Sequence, residues 1–305
     1  MTSGRPRVSV GLAVYNGDDF LAEAIESILA QTFTDFALII CDNASTDSTG
    51  EICRRYAALD KRIDYHRNLT NIGGVNNETL TFKLARSELF QLAAHDDVWE
   101  PELLQRCVEA LDRDPGAIAA YSATKKIDEH GAVLGVSRLG KGLSSRSWVR
   151  FADFPWRDHD SETTYALMRA DVVRQVRPQG NYGHSDRVWL SELALRGRFV
   201  EIDEELFRKR YHPKNAYLDI RARIAWFNPE WRGRIFLPYW QELINYVRVI
   251  HEAPVPKIEK LRCAPTVVRW TFRFSKNLAK DLAVGATRVL SRRRRISDRS
   301  PDNWS

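Results

Sequence analysis

The first 115 residues alternate between short apolar runs and apolar positions at helical spacing. Val8–Val14 is rich in β-branched residues and stops at Tyr15-Asn16-Gly17-Asp18, the pattern of a buried strand running into a turn. Phe20, Leu21, Ala24, Ile25, Ile28 and Leu29 then fall on one helix face. A second apolar run, residues 36–41, ends in Asp42-Asn43-Ala44-Ser45-Thr46-Asp47. The helix expected after it has Ser48 and Glu51 in capping-box register, with Ile52, Tyr56 and Leu59 facing inward. Residues 62–65 read as a short strand, Asn71-Ile72-Gly73-Gly74 as a turn, and 75–85 as a helix. Residues 89–94 read as a strand that stops at His95-Asp96-Asp97. Pro101 predicts the first turn of a helix through Leu111, where its missing N–H costs nothing.

Strand–helix alternation with short connections predicts an α/β fold, a mostly parallel sheet with helices on both faces. In such sheets ligands bind beyond the carboxyl ends of the strands. Tyr15-Asn16, Asp42-Asn43, residues 68–71 and His95-Asp96-Asp97 each follow an expected strand, so they should gather at one edge. Further along, residues 118–121, 126–127 and 133–136 are expected strands, with a hairpin at Glu129-His130-Gly131. Residues 138–160 read as a long loop and 185–195 as a helix. From residue 217 onward helices are expected, broken at Pro229, Pro238, Pro254 and Pro256.

Composition narrows the class. The 305 residues are 44% hydrophobic and 28% charged, ordinary for a globular protein. No apolar run approaches 18 residues and the run after residues 1–7 reads as a strand, so neither a membrane span nor a secretory signal is expected. Cys41, Cys53, Cys107 and Cys263 lack CxxC spacing and read as reduced thiols of a cytoplasmic protein. The net charge of +6 is uneven: residues 261–305 carry 11 Lys and Arg against 3 Asp, while 1–260 carry 35 basic against 37 acidic residues. That asymmetry argues against a globally basic nucleic-acid binder and for a tail that meets an anionic surface. Val267, Trp270, Phe274, Leu278, Leu282 and Val289 share one helical face; Arg269, Arg273, Lys276 and Lys280 share another, and residues 292–295 are all arginine. The pattern suits an interfacial helix on anionic lipid, and equally a helix packed on the domain with its basic side in water.

The Asp96-Asp97 pair carries the strongest chemical signal. Two adjacent carboxylates at a strand end, where ligands dock, suit Mn²⁺ or Mg²⁺, hard ions that take oxygen ligands and complete their shells with substrate phosphates. No P-loop and no GxGxxG fingerprint is present. On these residues the chain resembles the family 2 glycosyltransferases of the GT-A fold. The matching pieces run in order: Val8-Ser9-Val10 through Tyr15-Asn16, Leu21 through Gln31-Thr32, Asp42 through Asp47, Asn71-Ile72-Gly73, and His95-Asp96-Asp97-Val98-Trp99-Glu100-Pro101. The match covers residues 7–115 and extends more loosely through Asp186 and His212.

The resemblance implies a GT-A Rossmann-like fold and an inverting transfer from a nucleoside-diphosphate sugar to an acceptor hydroxyl. The expected product is a glycan, polysaccharide or glycolipid of the cell envelope. Asp42 matches the acidic residue that reads the nucleotide base, with Tyr15 nearby, although Tyr15 also fits a core-edge aromatic. Asn16, Asn43, Asn71 and Gly73 complete the implied nucleotide-sugar site. Asp96 falls near the ribose and metal, Asp97 is the implied metal ligand, and His212 in Lys209-Arg210-Tyr211-His212-Pro213 closes the metal shell. Arg208, Lys209, Arg210 and Lys214 are implied to balance the leaving diphosphate, and also fit a solvated basic loop. Many members have Asp where this chain has Ala94; the later pair survives, so metal use is expected to survive, and His95 reads as an ordinary solvated histidine. Asp186, in Gly183-His184-Ser185-Asp186-Arg187, matches the family's general base, and also fits an acid favouring a helix N-terminus. The expected layout is a glycosyltransferase domain over 1–216 and a helical extension over 217–305. The expected partners are the sugar nucleotide and a glycan or lipid-linked acceptor, with peripheral contact at the inner face of the cell membrane and no nucleic acid. The competing reading is a catalytically silent GT-A domain that binds a sugar nucleotide or glycan.

Overall fold

The computed structural model describes residues 5–156, 161–213 and 237–284. The chain begins with β1 (Val8–Val14), α1 (Leu21–Leu29), β2 (Phe36–Asp42), α2 (Thr49–Leu59), β3 (Ile63–Arg67), α3 (Gly74–Leu84) and β4 (Leu89–Ala93). These strands lie in the order β3-β2-β1-β4, all parallel. β1, β2 and β4 are covered on both faces, which is why they read as unbroken apolar runs. Gly11 lets α3 lie close on β1: a β-carbon there would stand 2.3 Å from the Thr81 hydroxyl.

Next come β5 (Val98–Trp99), α4 (Leu103–Arg113), β6 (Ala117–Ile127), β7 (Val133–Ser137) and α5 (Ser147–Asp153). A 3₁₀ turn, Glu162–Tyr165, leads into β8 (Leu167–Arg169), α6 (Ala170–Arg174), α7 (Ser185–Arg196) and β9 (Arg198–Arg210). β8 runs antiparallel between β4 and β6, β9 runs parallel beside β6, and β5 closes the far edge antiparallel to β9. The expected mostly parallel α/β architecture is present.

Several local expectations are corrected. The strands expected at 118–121 and 126–127 are one continuous strand, β6, because the intervening Ser122 and Thr124 are buried and stay in the ladder with β9. The long loop expected over 138–160 holds α5, whose Phe151 is fully buried. The capping box at Ser48 does not form: Ser48 is itself in helical conformation, and Asp47 Oδ1 instead accepts the Thr49 N–H at 3.0 Å.

The C-terminal extension contributes α8 (Pro238–Glu252) and α9 (Lys257–Arg273). Tyr246, Val249, Cys263, Trp270 and Leu278 from it share one apolar cluster with Phe151, Tyr182, Val188 and Leu195. The extension therefore completes a core whose other half belongs to α5 and α7. The boundary at residue 216, Lys214 and the arginines at 292–295 lie outside the described residues. Of the two readings of the apolar stripe, packing on the domain is the one found: Trp270 and Leu278 are buried, Val267 and Phe274 pack on the same cluster, and of the described members only Leu282 is exposed. The basic stripe Arg269, Arg273, Lys276 and Lys280 is exposed as expected. All four cysteines are buried and unpaired. No described helix is long and apolar enough to cross a membrane.

Candidate active site

The parallel strands end at a common edge, and the turns beyond them are cross-linked by side chains. Asn16, in the left-handed region at φ 50°, donates its N–H to Ser45 Oγ at 3.0 Å and accepts the Thr46 N–H through Oδ1 at 2.8 Å. It thereby ties the β1 turn to the β2 turn. Tyr15 beside it is 42% exposed, open to a ligand. Asp42 is fully buried. Its Oδ1 accepts the Ser45 N–H at 2.8 Å, and Oδ2 accepts from the Tyr65 hydroxyl at 2.9 Å and Arg67 at 2.6 Å.

Asn43 and Asn71 form the neighbouring wall. Asn43 donates to Asn71 Oδ1 at 2.9 Å and accepts from Asn68 and the Ile72 N–H. Asn71 Oδ1 also accepts the Gly73 N–H at 2.9 Å. Gly73 starts α3 at φ 87°, a conformation that only glycine adopts cheaply. The asparagine side chains thus shape the turn at the strand ends.

Asp96 and Asp97 follow β4 as expected. Gln31, one of the motif residues, holds the segment after them by donating to Glu100 O at 2.8 Å and accepting the Leu104 N–H at 2.9 Å. Asp97 is buried and accepts the Arg210 N–H at 2.9 Å. Burial, and then the charge of Asp96, push its carboxyl up to about 8 against the opposing pull of Lys209 and Arg210. Asp96 Oδ2 lies 3.0 Å from His212 Nε2. Burial works to raise Asp96 too, but His95 and the His212 hydrogen bond outweigh it and hold that carboxyl below the usual range. His212 stacks on Phe20 at 4.8 Å.

Two adjacent carboxylates, one driven to hold its proton by burial and then by the other's charge, have the chemistry of a divalent-cation site. Among the described residues no three His, Cys, Asp or Glu side chains stand as a ready-made metal cage. A cation held by Asp97, with Asp96 and His212 beside it, fits this pair if a ligand's phosphates complete the shell.

Asp186 lies in the first turn of α7, half-buried. Burial raises its carboxyl, but Arg187, the Ser161 hydroxyl and His184 more than offset this and hold it below the usual range. Sequence reasoning missed its neighbour Glu78 on α3, whose carboxyl is pushed up to about 7 by burial and then by the charge of Asp186. It also missed Glu242 of α8, buried 3.9 Å from His184 Nδ1. Neither has a motif around it; only the fold brings α3 and α8 to α7. Four non-glycine residues among those described are left-handed, and they are Asn16, Ala44, Ser161 and His184, all at this site.

The basic residues are placed differently from expectation. Arg208 pairs with Glu100 at 2.6 Å, and the Arg210 guanidinium is 2% exposed and bonded to Glu23 and the Asp96 carbonyl. Arg210 is therefore no solvated cation, while Arg208 is ion-paired yet 38% exposed.

Solved structures share this architecture. The TarS protein of S. aureus, solved with UDP-GlcNAc, aligns over 88% of this chain and 73% of its own at a TM-score of 0.65 and 18% identity. The mannosyltransferase PcManGT of Pyrobaculum calidifontis, solved with GDP-Man and Mn²⁺, aligns over 94% and 81% at 0.54 and 17% identity. The likeness establishes a GT-A type α/β fold. The chain belongs to glycosyl transferase family 2, whose model matches residues 9–177. An uncharacterized glycosyltransferase of Rickettsia typhi is 30% identical over 251 residues, 81% of this chain and 77% of that one. Against some other relatives only part of the partner is spanned, 19% for the chondroitin synthase of Escherichia coli.

Proposed function

We propose that the chain is an inverting, metal-dependent glycosyltransferase using a nucleoside-diphosphate sugar. The observation that carries the reading is the adjacent Asp96-Asp97 pair at the end of β4, Asp97 buried and Asp96 3.0 Å from His212. TarS and PcManGT, bound to a UDP-sugar and to GDP-Man with Mn²⁺, support it by fold. Tyr15, Asn16 and Asp42, with the turn shaped by Asn43, Asn71 and Gly73, hold the nucleoside. Asp96, Asp97 and His212 hold the cation, whose chemistry is to bind the diphosphate and stabilise its negative charge. Asp186 takes the proton of the acceptor hydroxyl; the acceptor oxygen forms its bond to the anomeric carbon, and the sugar–phosphate bond breaks with its electrons leaving on the diphosphate. Asp186 is ionised at neutral pH, as a base needs to be.

The test is a thermal-shift screen of UDP-, GDP- and dTDP-sugars with Mn²⁺, Mg²⁺ or EDTA. One nucleotide should stabilise the protein only with metal. Asp97→Ala should abolish that shift, while Asp186→Asn should retain it and lose transfer. Nucleotide binding with no turnover across a broad acceptor panel would instead favour a silent binding domain.

A peripheral membrane contact on the cytoplasmic side is part of the same proposal, through a different face of α9 from the one expected. Ile258, Leu261, Val268 and Phe272 recur at helical spacing and are 55%, 68%, 53% and 76% exposed. Lys257 and Lys260 flank this stripe on one side, Arg262, Arg269 and Arg273 on the other. An apolar stripe between cationic rows suits an anionic lipid surface.

A further inference from the structure

We propose that the 3₁₀ turn before β8 is the pocket for the hydroxyl groups of the transferred sugar, with Glu162 selecting a neutral hexose that presents two neighbouring free hydroxyls; this rests on the donor reading above. The Glu162 side chain is 2% exposed, and neither carboxylate oxygen has a hydrogen-bond partner among the described residues. Lys126 Nζ stands 3.8 Å away, near enough to balance the charge and too far to donate a hydrogen bond. Thr163 Oγ1, Thr164 Oγ1 and Gln91 Oε1 are likewise buried without partners, and Gln91 is tied to this turn by donating to Tyr165 O at 2.9 Å. Buried polar groups are nearly always satisfied, so this concentration of orphans around one turn points to a polyhydroxylated ligand.

Its position agrees. Gln91 of β4 pairs antiparallel with Leu167, so the turn preceding β8 runs beside the end of β4 that carries Asp96 and Asp97. Ser161, one residue before Glu162, is near enough to Asp186 for its hydroxyl to help lower that carboxyl. Lys126 lies 5.7 Å over the Tyr211 ring and Lys209 lies 5.9 Å from the same ring, and the Lys209 charge acts on Asp97. The turn that carries Glu162 thus lies beside the strand end that leads to the metal acids and next to a residue acting on the base, where a sugar attacked at its anomeric carbon would have its ring. A carboxylate accepts two hydroxyls side by side, the two threonines supply further contacts, and a uronate would be repelled.

The experiment is titration calorimetry on the full chain with Mn²⁺. It compares UDP, GDP and dTDP with UDP-glucose, UDP-galactose, UDP-glucuronate, GDP-mannose and dTDP-glucose, for wild type, Glu162→Gln and Thr163→Val. A neutral hexose nucleotide should bind more tightly than its bare nucleotide, with no such gain for glucuronate. Glu162→Gln should cut the gain by about tenfold or more, and Thr163→Val by less, with bare-nucleotide affinity held within about twofold. Glu162→Gln should also raise the ligand-free Tm, because it removes a buried charge; a structural ion pair with Lys126 would lower it instead. A gain that survives Glu162→Gln, or no hexose gain in wild type, overturns the inference and leaves the nucleotide site standing. Failure of every bare nucleotide to bind overturns the donor reading itself.

Discussion

Replacing Trp270 by alanine should destabilise the whole protein in one step. Trp270 is fully buried, with ring centroids 4.9 Å from Phe274, 5.7 Å from Tyr246 and 6.5 Å from Tyr239. Truncating a buried tryptophan costs about 3–5 kcal/mol. In a chain of this size that lowers Tm by roughly 6–15 °C. Trp270→Phe should cost far less. It keeps the aromatic contacts and removes an indole N–H that has no partner among the described residues, a group whose burial costs about 1–3 kcal/mol. The assay is urea and thermal unfolding followed by far-UV circular dichroism and by fluorescence of the remaining tryptophans. The expected result is a single transition, shifted strongly in Trp270→Ala and weakly in Trp270→Phe. Because α8 carries Glu242 beneath His184 and Asp186, transfer by Trp270→Ala should weaken ahead of the unfolding transition. Two transitions, with the sheet melting where the wild type does, would refute the shared core. Equal damage from both variants would refute the role given to the orphan N–H.

Two further outcomes are expected. Glu78 is held near 7 in the folded protein against an ordinary 4.5, so the native state binds the extra proton and stability falls as pH rises between those values. Glu78→Gln should therefore match wild type near pH 4, become the more stable protein as pH passes from about 4.5 to 7, and keep a constant advantage above that; urea midpoints across pH measure it, and a gap that closes with rising pH would contradict the sign. Leu261→Glu with Phe272→Glu should lower co-sedimentation with phosphatidylserine vesicles about tenfold while leaving Tm unchanged, since both side chains are exposed; undiminished binding would remove α9 from the membrane contact.

The part of the molecule legible in the sequence is the part where residue type and burial coincide. β1, β2 and β4 are buried on both faces, so each shows as an apolar run with polar residues at its end, and those ends are the proposed nucleotide and metal positions. β9 was invisible because its charged residues are paired: Arg208 with Glu100, Arg210 with Glu23. The α5 helix carried a signal, Trp148 and Phe151 three residues apart, but its glycine- and serine-rich surroundings concealed it. On α9 the chain holds two apolar stripes, and periodicity alone does not say which meets the core; Cys263 and Trp270 won it. Glu78, Glu162 and Glu242 had no signal at all, because a carboxylate looks solvated until the fold buries it.

Arg210 shows why charge in a motif is a poor guide to its use. Its backbone N–H holds Asp97, and its guanidinium holds the Asp96 carbonyl, Glu23 and the carbonyls of Asp128 and Glu129, while stacking on Phe20 at 4.7 Å. Phe20 in turn supports His212. The donors of this arginine are taken up by the Asp96 carbonyl, by the hairpin carbonyls and by Glu23, which is what a residue 2% exposed must do to remain charged. Arg208 is similarly committed to Glu100. On the proposed reaction, the negative charge of the leaving diphosphate then falls to the divalent cation and to Lys209, a lysine whose charge acts on Asp97. On that proposal the adjacent acids, held in place by Arg210, are the physical reason a metal would be required.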